Sequence, residues 1–174
     1  MKPHKSEGRG GSKMNSDQAV KEEKYAELIR KTGAVLGDER DPIVWMSTLA
    51  CLTKTEFDFL WVGFYLAHGD ELAIGPYQGS LGCLRIPFTH GVCGSCASSE
   101  ETVVVHDVQR FPRHISCDHR SRSEIVVPVF DGSDGLRAVF DIDSSELGSF
   151  DHTDKRFLEE IAANMRSLLW SRIG

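Results

Sequence analysis

Six short runs rich in β-branched and aromatic residues, beginning at Phe59, set the tightest limit on what this chain can fold into. They read FLWVGFYL, ELAIGPYQ, CLRIPF, TVVVHDV, SEIVVPVF and LRAVFDID. Turn residues divide them, among them His68-Gly69-Asp70 and Asp131-Gly132-Ser133-Asp134-Gly135. Runs of this length and makeup form strands. The first two are joined closely enough for a hairpin, and so are the last two, so the sheet is at least partly antiparallel.

Helical patterns flank these runs. Ser16 or Asp17 is placed to cap a helix running to about Leu36, with Val20, Leu28, Ile29 and Val35 on one side. Asp41-Pro42 opens a second, more apolar helix, IVWMSTLACLT, in which Cys51 is expected as a buried small hydrophobe. Asp151 caps a final helix with Asp154 in its first turn. Phe157, Leu158, Ile161, Met165, Leu168 and Leu169 form its core-facing stripe. The predicted class is α/β, one domain with no internal repeat.

Charge and cysteine content narrow the functions. The net charge of −6, from 20 basic and 26 acidic residues, argues against a nucleic acid or an anionic membrane as partner. No run reaches the roughly 18 apolar residues needed to span a bilayer. Residues 1–16 hold two methionines and no other large apolar side chain, so a disordered tail is expected there. No secretory or transit pattern is present, and the expected location is cytoplasmic. Five cysteines in such a chain are more often free, metal-bound or catalytic than paired in structural disulfides.

Cys93-Gly94-Ser95-Cys96 has the spacing of several known sites, but its surroundings count against each, and chance spacing is the leading reading. A papain-type nucleophile needs partners about 130–150 residues downstream, and only 78 residues follow Cys96. A zinc deaminase needs His-x-Glu before Pro-Cys, and neither is present. A structural zinc site would have to recruit His114, Cys117 and His119 and leave Cys83 idle. A thioredoxin-like pair should open a helix within a βαβ unit.

Cys117 is the better candidate for reactivity. Arg113, His114, His119, Arg120 and Arg122 lie within five positions of its sulfur, opposed only by Asp118. Positive charge favours the thiolate, and a drop in pKa from about 8.5 to about 7 corresponds to about 2 kcal/mol. A solvated basic loop with an incidental cysteine accounts for the composition equally well. Asp141 and Asp143 project from one face of a strand, with Ile142 on the other. That face either meets water or forms a pocket wall, where the pair would hold a proton unusually long. Glu124 on a neighbouring strand could complete an acidic cluster.

WVGFYL (61–66), GPYQG (75–79), CLRIPF (83–88), GVCG (91–94), ISCD (115–118), SRSEIVVPV (121–129) and FDIDSSELGSFD (140–151) occur in this order. Together they resemble the free methionine (R)-sulfoxide reductases, stand-alone enzymes of the GAF fold, over about residues 20–173. The resemblance implies a GAF domain over residues 17–174. Its mostly antiparallel six-stranded sheet would lie between N- and C-terminal helices and a layer of loops and a short helix that forms the pocket. It implies thiol-dependent reduction of the R-sulfoxide of free methionine, with Cys117, Cys83 and Cys93 as the redox cysteines. Cys117 would attack and become a sulfenic acid, and Cys83 would close a disulfide with it. Cys93 would resolve or relay in its place, and a thioredoxin-like reductant would restore the thiols. Glu124, Asp141 and Asp143 would cage the α-ammonium. Trp61 and Tyr65, otherwise read as core packing, would wall the S-methyl group. Cys96 and Cys51 have no counterpart in that pattern. No metal or organic cofactor is expected, and a homodimer is the assembly carried forward. The alternative from another class is a non-catalytic GAF module that senses a small ligand.

Overall fold

The computed structural model describes residues 10–113 and 117–169, with side chains from residue 16 to residue 166 within those ranges. Four α-helices, α1 (Gly10–Leu36), α2 (Pro42–Phe57), α3 (Gly91–Ser99) and α4 (His152–Leu169), accompany six strands. The strands are β1 (Trp61–His68), β2 (Glu71–Gln78), β3 (Arg85–Pro87), β4 (Val103–Val105), β5 (Ser123–Phe130) and β6 (Leu136–Ser144). Each coincides with one of the six runs read from the sequence, β1 running two residues and β6 one residue beyond theirs. The sheet order is β3-β2-β1-β6-β5-β4. All of its neighbouring pairs are antiparallel, a step beyond the mostly antiparallel sheet expected.

The caps of α2 and α4 form as their sequences suggest. Asp41 Oδ1 accepts from the amides of Ile43 at 2.8 Å and Val44 at 3.4 Å. Asp151 Oδ1 accepts from the Thr153 amide at 2.7 Å, and Asp154 Oδ2 accepts in return from the Asp151 amide at 2.8 Å. These bonds satisfy amides that a helix start leaves without intrahelical partners.

Three expectations are corrected. Helix α1 begins at Gly10, so Ser16 and Asp17 lie inside it rather than at its cap. A helix can continue into solvent on backbone bonds alone, and the start of the apolar pattern marks only where packing begins. Residues 1–9 of the expected tail lie outside the described residues. The buried row of α1 is Tyr25, Leu28, Thr32 and Leu36, while Val20 and Val35 are exposed. Cys51 is also exposed. The buried side of α2 carries Trp45, Met46, Leu49, Ala50 and Thr53, and Cys51 lies about 100° of turn beyond Ala50. On α4, Leu158, Ile161 and Met165 are buried as expected. The side chains of Leu168 and Leu169 lie outside the described residues.

Strand periodicity divides the apolar side chains into two cores. Val62, Phe64, Ile125, Val127, Phe140 and Ile142 point to one face, where α1, α2 and α4 cover them. Trp61, Tyr65, Val126 and Val139 point to the other and pack with Cys93 and Cys96 of α3. Helix α3 follows β3 and precedes β4, which are opposite edges of the sheet. It therefore crosses that second face, and this crossing builds the site.

Candidate active site

The cross-strand register gathers the acids. Glu124 on β5 pairs with Asp143 on β6, which pairs in turn with Trp61 on β1. In the next row Asp141 lies between Val126 and Gly63. Glu124, Asp141 and Asp143 line one cleft together with Cys93, Cys117, Trp61 and Tyr65. All eight residues proposed from the sequence are brought close to this cleft, seven of them in its lining. Cys83, the eighth, reaches it through its bond to Cys117.

Two loops close the cleft. Cys83 and Cys117 form a disulfide, with 5.6 Å between their Cα atoms. Beside it, Ser80 Oγ donates to Asp118 Oδ2 at 2.6 Å. Arg120 grips the same carboxylate through Nη2 at 2.7 Å and Nε at 3.0 Å. These donors hold Asp118 well below the usual carboxylate range, Arg120 contributing most. The basic surroundings read around Cys117 are thus only partly free charge, because Arg120 is committed to Asp118. Arg113 turns its backbone carbonyl to the Gly91 amide at the start of α3, and His114 lies outside the described residues.

The acid wall is dry. Asp141 is 5% exposed, Glu124 is 6% exposed, and Asp141 Oδ1 is buried without a hydrogen-bond partner among the described residues. Burial, reinforced by the neighbouring acids, pushes Glu124 and Asp141 well above the ordinary carboxylate range. Burial also raises Asp143, to about 6, although Ser121 Oγ donates to it and pulls the other way. Cys93 donates from Sγ to Glu124 Oε1 at 3.8 Å. Its thiol is pushed well up, first by burial and then by Asp141 and Glu124, so Cys93 is held as a protonated thiol.

The Cys93–Cys96 stretch lies in a short helix, in keeping with the short helix expected in the pocket layer. That helix links two sheet edges, however, rather than parallel neighbours. Both thiols are buried and have raised pKa values, the reverse of a thioredoxin-like pair. Cys117 is held in its disulfide, so the loop zinc set drawn from it does not assemble. Cys93, Glu124 and Asp141 are the described residues whose donor atoms come close enough to share an ion, within 4.8 Å of one another.

The aromatic wall depends on features the sequence reading passed over. The Trp61 and Tyr65 rings stack with centroids 5.7 Å apart, and Trp61 Nε1 donates to the Ser80 carbonyl at 3.1 Å. A Cβ on Gly63 would lie 2.6 Å from Trp61 Cη2, and one on Gly79 would lie 2.6 Å from Trp61 Cδ1. Missing side chains at these two positions make the slot for the indole. The glycines of WVGFYL and GPYQG were a visible signal. Ser80 and Ser121 gave none, because their partners come from distant loops.

The GAF domain family model matches residues 22–167. Free methionine-R-sulfoxide reductase of Escherichia coli is 37% identical over 150 residues, covering 86% of this chain and 90% of that protein. GAF domain-containing protein A of Dictyostelium discoideum is 39% identical over 142 residues, covering 81% and 89%. The chain belongs to the free methionine-R-sulfoxide reductase family of GAF domains. Its fold agrees closely with a solved member, the Neisseria meningitidis free methionine-R-sulfoxide reductase in complex with its substrate. The TM-score is 0.81 at 42% identity, over 84% of this chain and 89% of that one.

Proposed function

We propose that this protein reduces the R-sulfoxide of free methionine, using its own thiols as the immediate reductant. The observation that carries this reading is a disulfide between Cys83 and Cys117 at a cleft lined by the buried Glu124 and Asp141 and the partly buried Asp143. In the reduced state, Cys117 as thiolate attacks the sulfoxide sulfur. Asp143, whose carboxyl is raised to about 6 and so carries a proton far more often near neutrality than an ordinary carboxyl, protonates the oxygen. The oxygen passes to Cys117 Sγ, giving a sulfenic acid, and methionine leaves. Cys83 then displaces that oxygen as water and forms the disulfide. Two thiols and one sulfoxide thus become a disulfide, a thioether and water. A thioredoxin-type dithiol reopens the bond by exchange. Cys93 donates to Glu124, and its raised pKa leaves the attack to Cys117 and the resolving step to Cys83.

The free amino acid is selected by its cation. The unpartnered Asp141 Oδ1 and the Glu124 carboxyl are seats for an α-ammonium. A peptide-bound or N-acetylated methionine sulfoxide has no such charge, and it would leave buried acids without a partner. The Trp61–Tyr65 stack supplies an apolar wall for the S-methyl group. A ligand-sensing module would have no use for a redox disulfide at the pocket mouth, so the catalytic reading is preferred.

The test supplies R- and S-sulfoxides of free and N-acetylated methionine to the protein with a dithiol and follows methionine release. The expected result is consumption of the free R form alone, abolished by Cys117→Ser. Equal consumption of the acetylated form would refute the ammonium seat, and turnover by Cys117→Ser would refute the nucleophile.

A further inference from the structure

We propose that the corner formed by Cys93, Glu124 and Asp141 is a binding site for one thiophilic divalent cation of the Zn2+ class. One sulfur and two carboxylate oxygens from α3, β5 and β6 converge there, all within 4.8 Å of one another. Tetrahedral zinc bonds sulfur at about 2.3 Å and carboxylate oxygen at about 2.0–2.2 Å, which places such ligands about 3.5 Å apart. Cys93 Sγ is already 3.8 Å from Glu124 Oε1, so small side-chain rotations would complete the shell.

Charge and burial point the same way. Among the described residues, those lining the cleft include Glu124, Asp141, Asp143 and Asp118 but no Lys, Arg or His. The nearly buried Asp141 keeps one oxygen without a partner among the described residues. A dication would satisfy that oxygen and offset two of the three negative charges of the carboxylates and the Cys93 thiolate, releasing the thiol proton and any carboxyl protons as it binds. The fourth position faces the cleft and falls to water. A thiolate beside two carboxylates favours zinc and softer ions over magnesium or calcium, which take oxygen ligands.

This donor set differs from the loop histidines and cysteines that the CxxC spacing suggested. It overlaps the ammonium seat in space but stands independently of it, since the ion is recognised through a thiol that an ammonium does not need. The disulfide form is where the site is cleanest, because Cys83 and Cys117 then offer no thiolate. Zinc held there would arrest the oxidised enzyme with its pocket filled.

The experiment titrates Cd2+ alone, as a spectroscopic stand-in for zinc, into full-length oxidised protein and reads the ultraviolet sulfur-to-cadmium charge-transfer band. One equivalent per chain is expected to saturate it, and Zn2+ is expected to displace it. Cys93→Ser should abolish the band, while Cys51→Ser and Cys96→Ser should keep it. Asp141→Asn, with its fold checked by circular dichroism, should weaken Cd2+ binding by at least about tenfold. A band that survives Cys93→Ser, that is lost in Cys51→Ser or Cys96→Ser, or that is unchanged in Asp141→Asn would overturn the proposal. So would the absence of any stoichiometric band.

Discussion

At the residue scale, burial withdraws Glu124, Asp141 and Asp143 from much of their solvation, and this makes them levers on stability as well as on chemistry. Asp143 is raised from the usual 3.8 to about 6, chiefly by burial. A carboxyl whose folded pKa lies above its unfolded value favours the fold fully at pH below about 4. That contribution fades as pH rises through 6. A rise of that size corresponds to about 3 kcal/mol. Asp143→Asn should therefore leave the stability of the oxidised protein nearly unchanged at pH 3.5. At pH 7.5 it should raise stability by an amount approaching that figure, and urea unfolding at the two values measures the difference. A variant equally destabilised at both would contradict this account. The period-2 spacing of Asp141 and Asp143 was enough to place both on one face of a strand. Whether that face was wet or dry was not, because the answer depends on α3, which crosses from the far edge of the sheet. Cys51 was misjudged for a related reason: an apolar helix shows that a side is buried, but a single small residue does not show on which side it falls.

At the scale of elements, one buried carboxylate of α4 takes two side chains of α1. Tyr25 Oη donates to Asp154 Oδ1 at 2.8 Å and Lys21 Nζ to Asp154 Oδ2 at 2.6 Å. Tyr25 and Asp154 are fully buried. The Tyr25 ring also stacks on Phe157 of α4 at 5.0 Å. Removing the carboxylate leaves the buried Tyr25 hydroxyl without its acceptor and strips one of three from Lys21, which keeps Asp151 Oδ2 and the Ser149 carbonyl. For Asp154→Ala we expect a loss of about 3–5 kcal/mol, read as a lowered thermal midpoint, with the disulfide intact. The caps at Asp41 and Asp151 and the six strands were legible from local chemistry. The Tyr25–Asp154 clamp was not, since its partners are separated by 129 positions and neither residue is unusual in its own segment.

At the scale of the whole molecule, the disulfide joins points 34 positions apart and so removes freedom mainly from the unfolded chain. A loop of that length corresponds to about 4 kcal/mol in the chain-entropy description. Oxidised protein should accordingly resist urea more than the Cys83→Ser/Cys117→Ser double variant by up to this amount, with similar helix content. Equal midpoints would mean that reduction is compensated elsewhere in the fold. The pairing was expected from family resemblance, while the residue pattern alone offered only a reactive-looking loop.

The sheet has its two faces under different masters. The face under α1, α2 and α4 is closed and apolar, and the face under α3 carries the cleft. Substitutions that loosen the first alter how much folded enzyme is present. Those on the second alter what each folded copy can do. Lineages of this architecture can therefore drift in robustness and in substrate preference along nearly separate axes, and a pocket can be retooled without renegotiating the scaffold behind it.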